Sequence, residues 1–215
     1  MWTVGVAAIT LGRQTCRDTS QYGQTTTFQR FYGVGTGTFV EFGCANGVEN
    51  SNTYMLECLG WSGFCVEPVD QIRSRAHGYQ GAVCEPGQHR VNITVAGLSG
   101  LHGVQPNLAP FGVKAVGQKS VECYNLFDLR YKHGLEHVTY MTVDTEGNEA
   151  DILRAYAPLD WVDWLQVECN TKEACDELRA LLIGNFSLMR FFPFHNGRGG
   201  GDLLLRRRSV VKDLL

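Results

Sequence analysis

The segment TFVEFGCANG, residues 38–47, constrains the fold of this chain more than any other stretch. Its apolar run around Phe39, Val40 and Phe42 has the length of a buried strand, and it opens into Gly43, Ala45 and Gly47 at every second position. Small residues at a strand-to-helix turn let backbone N–H groups and a helix N-terminus approach a ligand without Cβ obstruction. A structural turn alone would explain one glycine. The next segment reads as a helix, capped by Asn50 or Ser51, striped by Tyr54, Met55, Leu56 and Leu59, and ended by Gly60.

Strand and helix continue to alternate. GFCVE at 63–67 reads as a second strand, about 69–77 as a helix and 81–84 as a short strand, a βαβαβ order that implies a parallel sheet. The glycine-rich stretch 90–119 has candidate strands near 91–96 and 112–116 and resembles an inserted hairpin. After the partly helical VECYNLFDLRY come a strand at 138–144, a helix from about 148, a strand at 164–168 and a helix near 172–182. FSLMRFFPF and DLLLRRRSV, joined by the Gly-rich HNGRGGG, read as a terminal antiparallel hairpin. A length of 215 residues suits one domain, with 1–37 as an approach segment and 38–215 as the core.

A net charge of −3 gives no footprint for nucleic acid, and the Arg206-Arg207-Arg208 run reads as a solvated strand end. The eight cysteines show no paired spacing and no CxxC, so they are expected to be free thiols in a reducing, cytoplasmic compartment. The apolar stretch from Val4 to Leu11 is short for a membrane span and lacks the basic flank of a signal peptide, so it reads as ordinary structure with no membrane span. Asn92-Ile-Thr and Asn185-Phe-Ser match glycosylation acceptors, but both fall in expected strands and read as chance matches.

The second strand ends in Glu67, twenty residues after Gly47, where an acid can accept hydrogen bonds from both hydroxyls of an adenosine ribose. The loop reads E-x-G-x-A-x-G rather than the G-x-G-x-x-G that cradles a pyrophosphate, and it places Glu41 where a cationic ligand is favoured. That pattern suits S-adenosylmethionine better than NAD. The segments SQYGQ, TFVEFGCANGVENSNTY, GWSGFCVEP and MTVDTEGNEADIL together resemble the FkbM family of S-adenosylmethionine-dependent methyltransferases over roughly residues 20–170. A further likeness is to methyltransferase domains of glycan-building proteins from large algal viruses.

The resemblance implies an α/β class I methyltransferase domain of Rossmann-like type. Its mostly parallel seven-stranded sheet would carry helices on both faces and an antiparallel C-terminal edge hairpin. It further implies that Glu41, Gly43, Asn46, Gly47, Ser51, Asn52 and Thr53 surround the methionine part of the cofactor. Glu67 would hold the ribose, and Ala82, Val83 and Cys84 would lie near adenine. Cys44, Ala45 and Pro68, inside the same two loops, complete the expected cofactor set. The family position after SQxGQ is usually acidic; here it is Thr25, and the adenine side lacks an acid. The implied acceptor is a hydroxyl of a sugar or glycan, possibly nucleotide-linked, and the chain would be one domain of a larger glycan-building protein.

DTEGNE at 144–149 follows a strand expected to end on the edge of the glycine loop, so Asp144 and Glu146 point toward the reaction, whereas Glu149 reads as a helix N-terminal acid. Glu168 ends the next strand. Asp144, Glu146 and Glu168 are therefore the candidate catalytic carboxylates, able to orient or deprotonate a hydroxyl or, alternatively, to hold a divalent metal. His133, His137 and His195 are alternative bases. Two other classes stay open: a dinucleotide-dependent oxidoreductase and a non-catalytic module that keeps the sheet alone.

Overall fold

The computed structural model describes residues 16–104, 106, 108, 112–194 and 199–208. Val4–Leu11 and His195 lie outside the described residues. A helix, α1 (Gln24–Tyr32), precedes the glycine-loop strand β1 (Thr38–Phe42). Then come α2 (Tyr54–Cys58), β2 (Ser62–Glu67), β3 (Gly78–Gln80), β4 (Ala82–Val83), β5 (Arg90–Ala96), β6 (Ala115–Tyr124) and α3 (Leu126–Lys132). The chain continues through β7 (Val138–Val143), α4 (Glu149–Ala155), β8 (Val162–Cys169), α5 (Lys172–Leu182), β9 (Phe186–Pro193) and β10 (Gly201–Arg207).

Seven strands form one sheet in the order β3-β2-β1-β7-β8-β10-β9. Pairings from β3 through β8 are parallel, whereas β10 runs antiparallel to both β8 and β9. The terminal hairpin expected from the sequence therefore forms the sheet edge. Strand alternation sends successive side chains to opposite faces. Val40, Met141, Leu165 and Leu203 pack into a core shared with Leu129, Ile152 and Leu178 of α3, α4 and α5. Phe39, Tyr140, Trp164 and Leu204 pack on the other face with Phe28 of α1 and Leu56 of α2. Phe28 stacks on Tyr140 at 4.2 Å, so the approach segment is part of the core. Its mixed polar sequence hid a helix that is stabilised by docking its aromatics, Phe28 on Tyr140, Phe31 on Trp164 and Tyr32 on Trp61.

Three expectations are corrected. No helix spans 69–77; the segment is irregular and ends in β3, which pairs with β2, while the strand expected at 81–84 belongs to a separate small sheet ordered β4-β6-β5. Helix formation lost to local competition. Glu67 accepts from the N–H groups of Val69 and Asp70, and Arg75 is drawn into a buried network. The inserted hairpin is β5 and β6, with its second strand starting near the end of the expected 112–116 range.

The third correction concerns the thiols. All eight cysteines pair, as Cys16–Cys58, Cys44–Cys65, Cys84–Cys123 and Cys169–Cys175, with Cα separations of 5.0 to 6.1 Å. Such distances suit a disulfide. Three of the four pairs join cysteines 21 to 42 residues apart in sequence, so only adjacency of strands and loops pairs them. With the free thiols goes the basis for a reducing, cytoplasmic compartment. Among the described residues no helix is long and apolar enough to cross a membrane.

Candidate functional site

The carboxyl ends of β1, β2, β7 and β8 surround a cavity of about 460 Å³. It sits where the strand order reverses between β1 and β7, the position at which open α/β sheets leave a crevice. Gly43, Ala45, Asn52, Glu67, Pro68, Ala82, Val83, Cys84, Asp144, Glu146 and Glu168 line it, so the structure brings most of the sequence-predicted residues together. The loop from Leu98 to Val104, after β5, closes one side.

The glycine loop owes its glycines to the protein's own backbone. A Cβ on Gly43, whose φ is +82°, would stand 1.7 Å from the carbonyl oxygen of Asp144. One on Gly47, at φ +85°, would meet the Arg73 carbonyl at 2.7 Å and the Arg75 side chain at 2.8 Å. Ala45 adopts φ +46° and Glu146 φ +55°, a left-handed conformation rare for such residues. Both line the cavity, consistent with strain held at a functional site.

Glu41, Ser51 and Thr53 do not line the cavity. Glu41 is fully buried and accepts from the Asn52 N–H at 2.6 Å, the Ser51 hydroxyl at 2.7 Å and the Thr53 hydroxyl at 2.6 Å. The Arg75 guanidinium donates to Glu41 at 3.1 Å, to Ser51 and Thr53, and through Nε to Glu57. Each hydroxyl thus relays hydrogens from the cation to the carboxylate. The network clamps the loop and holds Asn52 in the wall, where Gln166 donates to its Oδ1 at 3.1 Å. Thr25 donates its hydroxyl to the Asn52 carbonyl at 2.7 Å. Asn46 folds back on its own turn, accepting from the N–H groups of Val48 and Glu49, and Cys44 is held in the disulfide to Cys65. Sequence reasoning missed Arg75; its one signal was a second arginine in QIRSRAHG, in a segment expected to be a helix.

Glu67 sits at the end of β2 as expected, but three of its four lone-pair positions are filled. One oxygen accepts from Val69 and Asp70 N–H, the other from Ala45 N–H at 3.1 Å. One position remains for a ligand hydroxyl. Burial pushes its carboxyl up to about 7 despite these bonds. On the far side of the cavity, the carbonyl of Cys84 accepts from the buried Tyr156 hydroxyl, which itself accepts from Leu126 N–H at 3.0 Å. That relay fixes the Ala82–Cys84 wall against α3 and α4.

The acids at the ends of β7 and β8 converge. Carboxylate oxygens of Asp144, Glu146 and Glu168 all lie within 4.8 Å of one another. A fourth acid joins them: Asp202 of β10 lies opposite Glu168 in register and accepts from the Gln24 amide at 3.0 Å. Sequence reasoning missed it because it precedes LLL in what read as an ordinary edge strand. Asn170 donates to both Glu146 at 3.3 Å and Glu168 at 3.1 Å.

Burial and the adjacent acids raise this group together. Asp144 is pushed well above the usual carboxylate range by burial and by Glu146, and Glu168 by burial and by Asp144. Burial and Glu149 lift Glu146 to about 8, and burial lifts Asp202 to about 7. Carboxyls this close cannot all ionise without a cation. The cluster can therefore accept a proton near neutral pH, or exchange its protons for a cationic group. Oxygen-only ligands of this kind suit a hard divalent ion. Glu149 instead closes the turn, accepting from the N–H groups of Thr145 and Gly147.

The alternative histidines lie elsewhere. His133 packs against Phe64 with its ring on the Tyr79 hydroxyl, and the exposed His137 pairs with Asp163 at 2.6 Å. His102 is the histidine that lines the cavity. Its Nδ1 accepts from Ala96 N–H and its Nε2 faces Asp70 at 3.4 Å, so both nitrogens are engaged in holding the 98–104 loop. Arg206 and Arg207 end β10 and Arg208 follows it, away from the cavity; Arg206 lies over the Trp164 ring and Arg207 pairs with Asp163.

No family model matches the chain, and no curated protein matches it at a significant level.

Proposed function

We propose that the protein is an S-adenosylmethionine-dependent O-methyltransferase acting on a hydroxyl of a sugar or glycan. The observation that carries this reading is the presence, in one cavity, of Glu67 at the end of β2 and of Asp144, Glu146 and Glu168 beside the ends of β7 and β8. The seven-stranded order with antiparallel β10 inside the edge is in keeping with a class I methyltransferase sheet. The resemblance to the FkbM family, carried by the glycine loop and by MTVDTEGNEADIL, supports it further.

The donor set fits such a cofactor. Glu67 retains one acceptor position for a ribose hydroxyl, Val83 and Ile93 offer apolar walls, and the carboxyl cluster favours a sulfonium. When bound, S-adenosylmethionine supplies an electrophilic methyl group. Asp144, with Glu146 or Glu168, would orient the acceptor hydroxyl and take its proton. A carboxylate whose proton affinity is raised toward neutrality is a better base than an exposed one. Asn52, held by Glu41 and Gln166, shapes the wall beside β1 and β7. The acceptor class rests on the family resemblance, as do a nucleotide-linked acceptor and a place within a larger glycan-building protein.

Calorimetry with S-adenosylhomocysteine tests the cofactor, and labelled S-adenosylmethionine with glycans, nucleotide sugars, RNA caps and peptides tests the acceptor. Micromolar cofactor binding with label on a glycan is expected. Binding of NAD(H) instead would return the oxidoreductase reading, and label confined to RNA or peptide would overturn the acceptor. Inactivation by a chelator, restored by a divalent ion, would assign the three carboxylates to a metal.

A further inference from the structure

The two Asn-x-Ser/Thr sequons, read from the sequence as chance matches, take on a different meaning once the cysteines are seen to pair. Disulfides form and persist in oxidising compartments, and a chain of this size with every cysteine paired is at odds with a reducing one. In the eukaryotic secretory route, that same environment holds the machinery that modifies sequons.

Both asparagines are exposed. Asn92 lies in β5 between Val91 and Ile93, which line the cavity, so strand alternation turns Asn92 to the outer face of the β5–β6 hairpin. Its cross-strand partner is Ser120, also exposed. Asn185 follows α5 and precedes β9, beside the Pro158 carbonyl and Arg208, at the end of the sheet opposite the cavity. Its Nδ2 donates to the Pro158 carbonyl at 3.2 Å, and a substituted amide keeps one hydrogen with which to do so. A bulky substituent at either position meets neither the core nor the cavity mouth.

We propose that this chain carries N-linked glycans on Asn92 and Asn185, added in the oxidising compartment in which its four disulfides form. In each transfer a bond forms between Nδ2 and the anomeric carbon of a lipid-linked oligosaccharide. The bond from that carbon to pyrophosphate breaks, the lipid pyrophosphate leaves, and the amide proton passes to the transferase. The disulfides arise by exchange with an oxidised dithiol donor of the same compartment, which is reduced as each pair closes. The inference is independent of the methyltransferase reading.

The test uses the chain captured by antibody from its own cells, alkylated without reductant, then treated with an amidase that releases N-linked glycans. Two glycosidase-sensitive steps in mobility are expected, Asn92 and Asn185 are expected to appear as Asp in the mapped peptides, and no cysteine is expected to be alkylated. Asn92→Gln and Asn185→Gln, reintroduced into those cells, should each remove one step. Thr94→Ala and Ser187→Ala should do the same while leaving both asparagines in place, which separates loss of the acceptor sequence from misfolding. An unmodified asparagine overturns the proposal at that site. Unmodified asparagines at both sites, or alkylated cysteines, overturn it altogether.

Discussion

Replacing Glu41 by Gln tests whether the glycine loop is held by a buried ion network rather than by its ligand. The isostere keeps size and shape but removes one charge and one acceptor. Glu41 serves Asn52 N–H on one oxygen and Ser51, Thr53 and Arg75 on the other. If the new NH₂ takes the second position, it faces two hydroxyls and a guanidinium; if it takes the first, it opposes a buried N–H 2.6 Å away. The second arrangement is the less costly, and it still orphans a buried donor, at about 1–3 kcal/mol. Arg75 keeps Glu57 but loses its fully buried counter-ion, and breaking a buried pair costs about 3–5 kcal/mol. A total near 4–8 kcal/mol is a large part of a typical stability of about 5–15 kcal/mol. Urea unfolding of oxidised wild type and variant, followed by circular dichroism, measures it. A double-mutant cycle with Arg75→Met should return a coupling of about 2 kcal/mol, because the second substitution removes the orphaned charge. A loss below about 1 kcal/mol for Glu41→Gln, or additivity within about 0.5 kcal/mol, would refute the network as the loop's clamp.

Further outcomes follow from the same geometry. Gly43→Ala should fail to reach the native fold or lose several kcal/mol by urea unfolding, about 3 or more, because its Cβ would overlap the Asp144 carbonyl and φ is positive; native stability would show that the β1–β7 approach can relax. Glu67, Asp202 and Glu146 titrate higher folded than unfolded, so ligand-free stability should be full below about pH 4.5 for these groups and fall as pH rises toward 7–8. Glu67 alone accounts for about 3 kcal/mol at most, and melting temperatures across that range decide it. Ionisation of the cluster should favour the cationic S-adenosylmethionine over neutral S-adenosylhomocysteine increasingly from pH 6 to 9; a pH-independent affinity ratio would remove the cluster from sulfonium binding. Asp144→Asn should lower turnover about 10²-fold or more with cofactor affinity within a few-fold, as labelled-methyl kinetics would record.

Much of this architecture was legible in the chain itself. Apolar runs of strand length alternating with helical stripes dictated an α/β sheet, because a strand buried on both faces must be apolar throughout and a helix on one face only. Glu67, Asp144 and Glu168 could be placed on one edge from sequence, since each is the acid that ends an apolar strand and parallel strands end together. What the chain could not reveal depends on contacts between distant residues. Arg75 falls in an expected helix until Glu41 and Glu57 draw its guanidinium inward and the helix is lost. Asp202 reads as an edge-strand residue until antiparallel pairing sets it opposite Glu168. The cysteines read as isolated thiols until strand order brings Cys44 beside Cys65 and Cys84 beside Cys123. Periodicity reports how a segment meets solvent or core, a local property written in neighbouring residues. Which charge, acid or thiol meets which is fixed by register and topology, and those exist only once the sheet has closed.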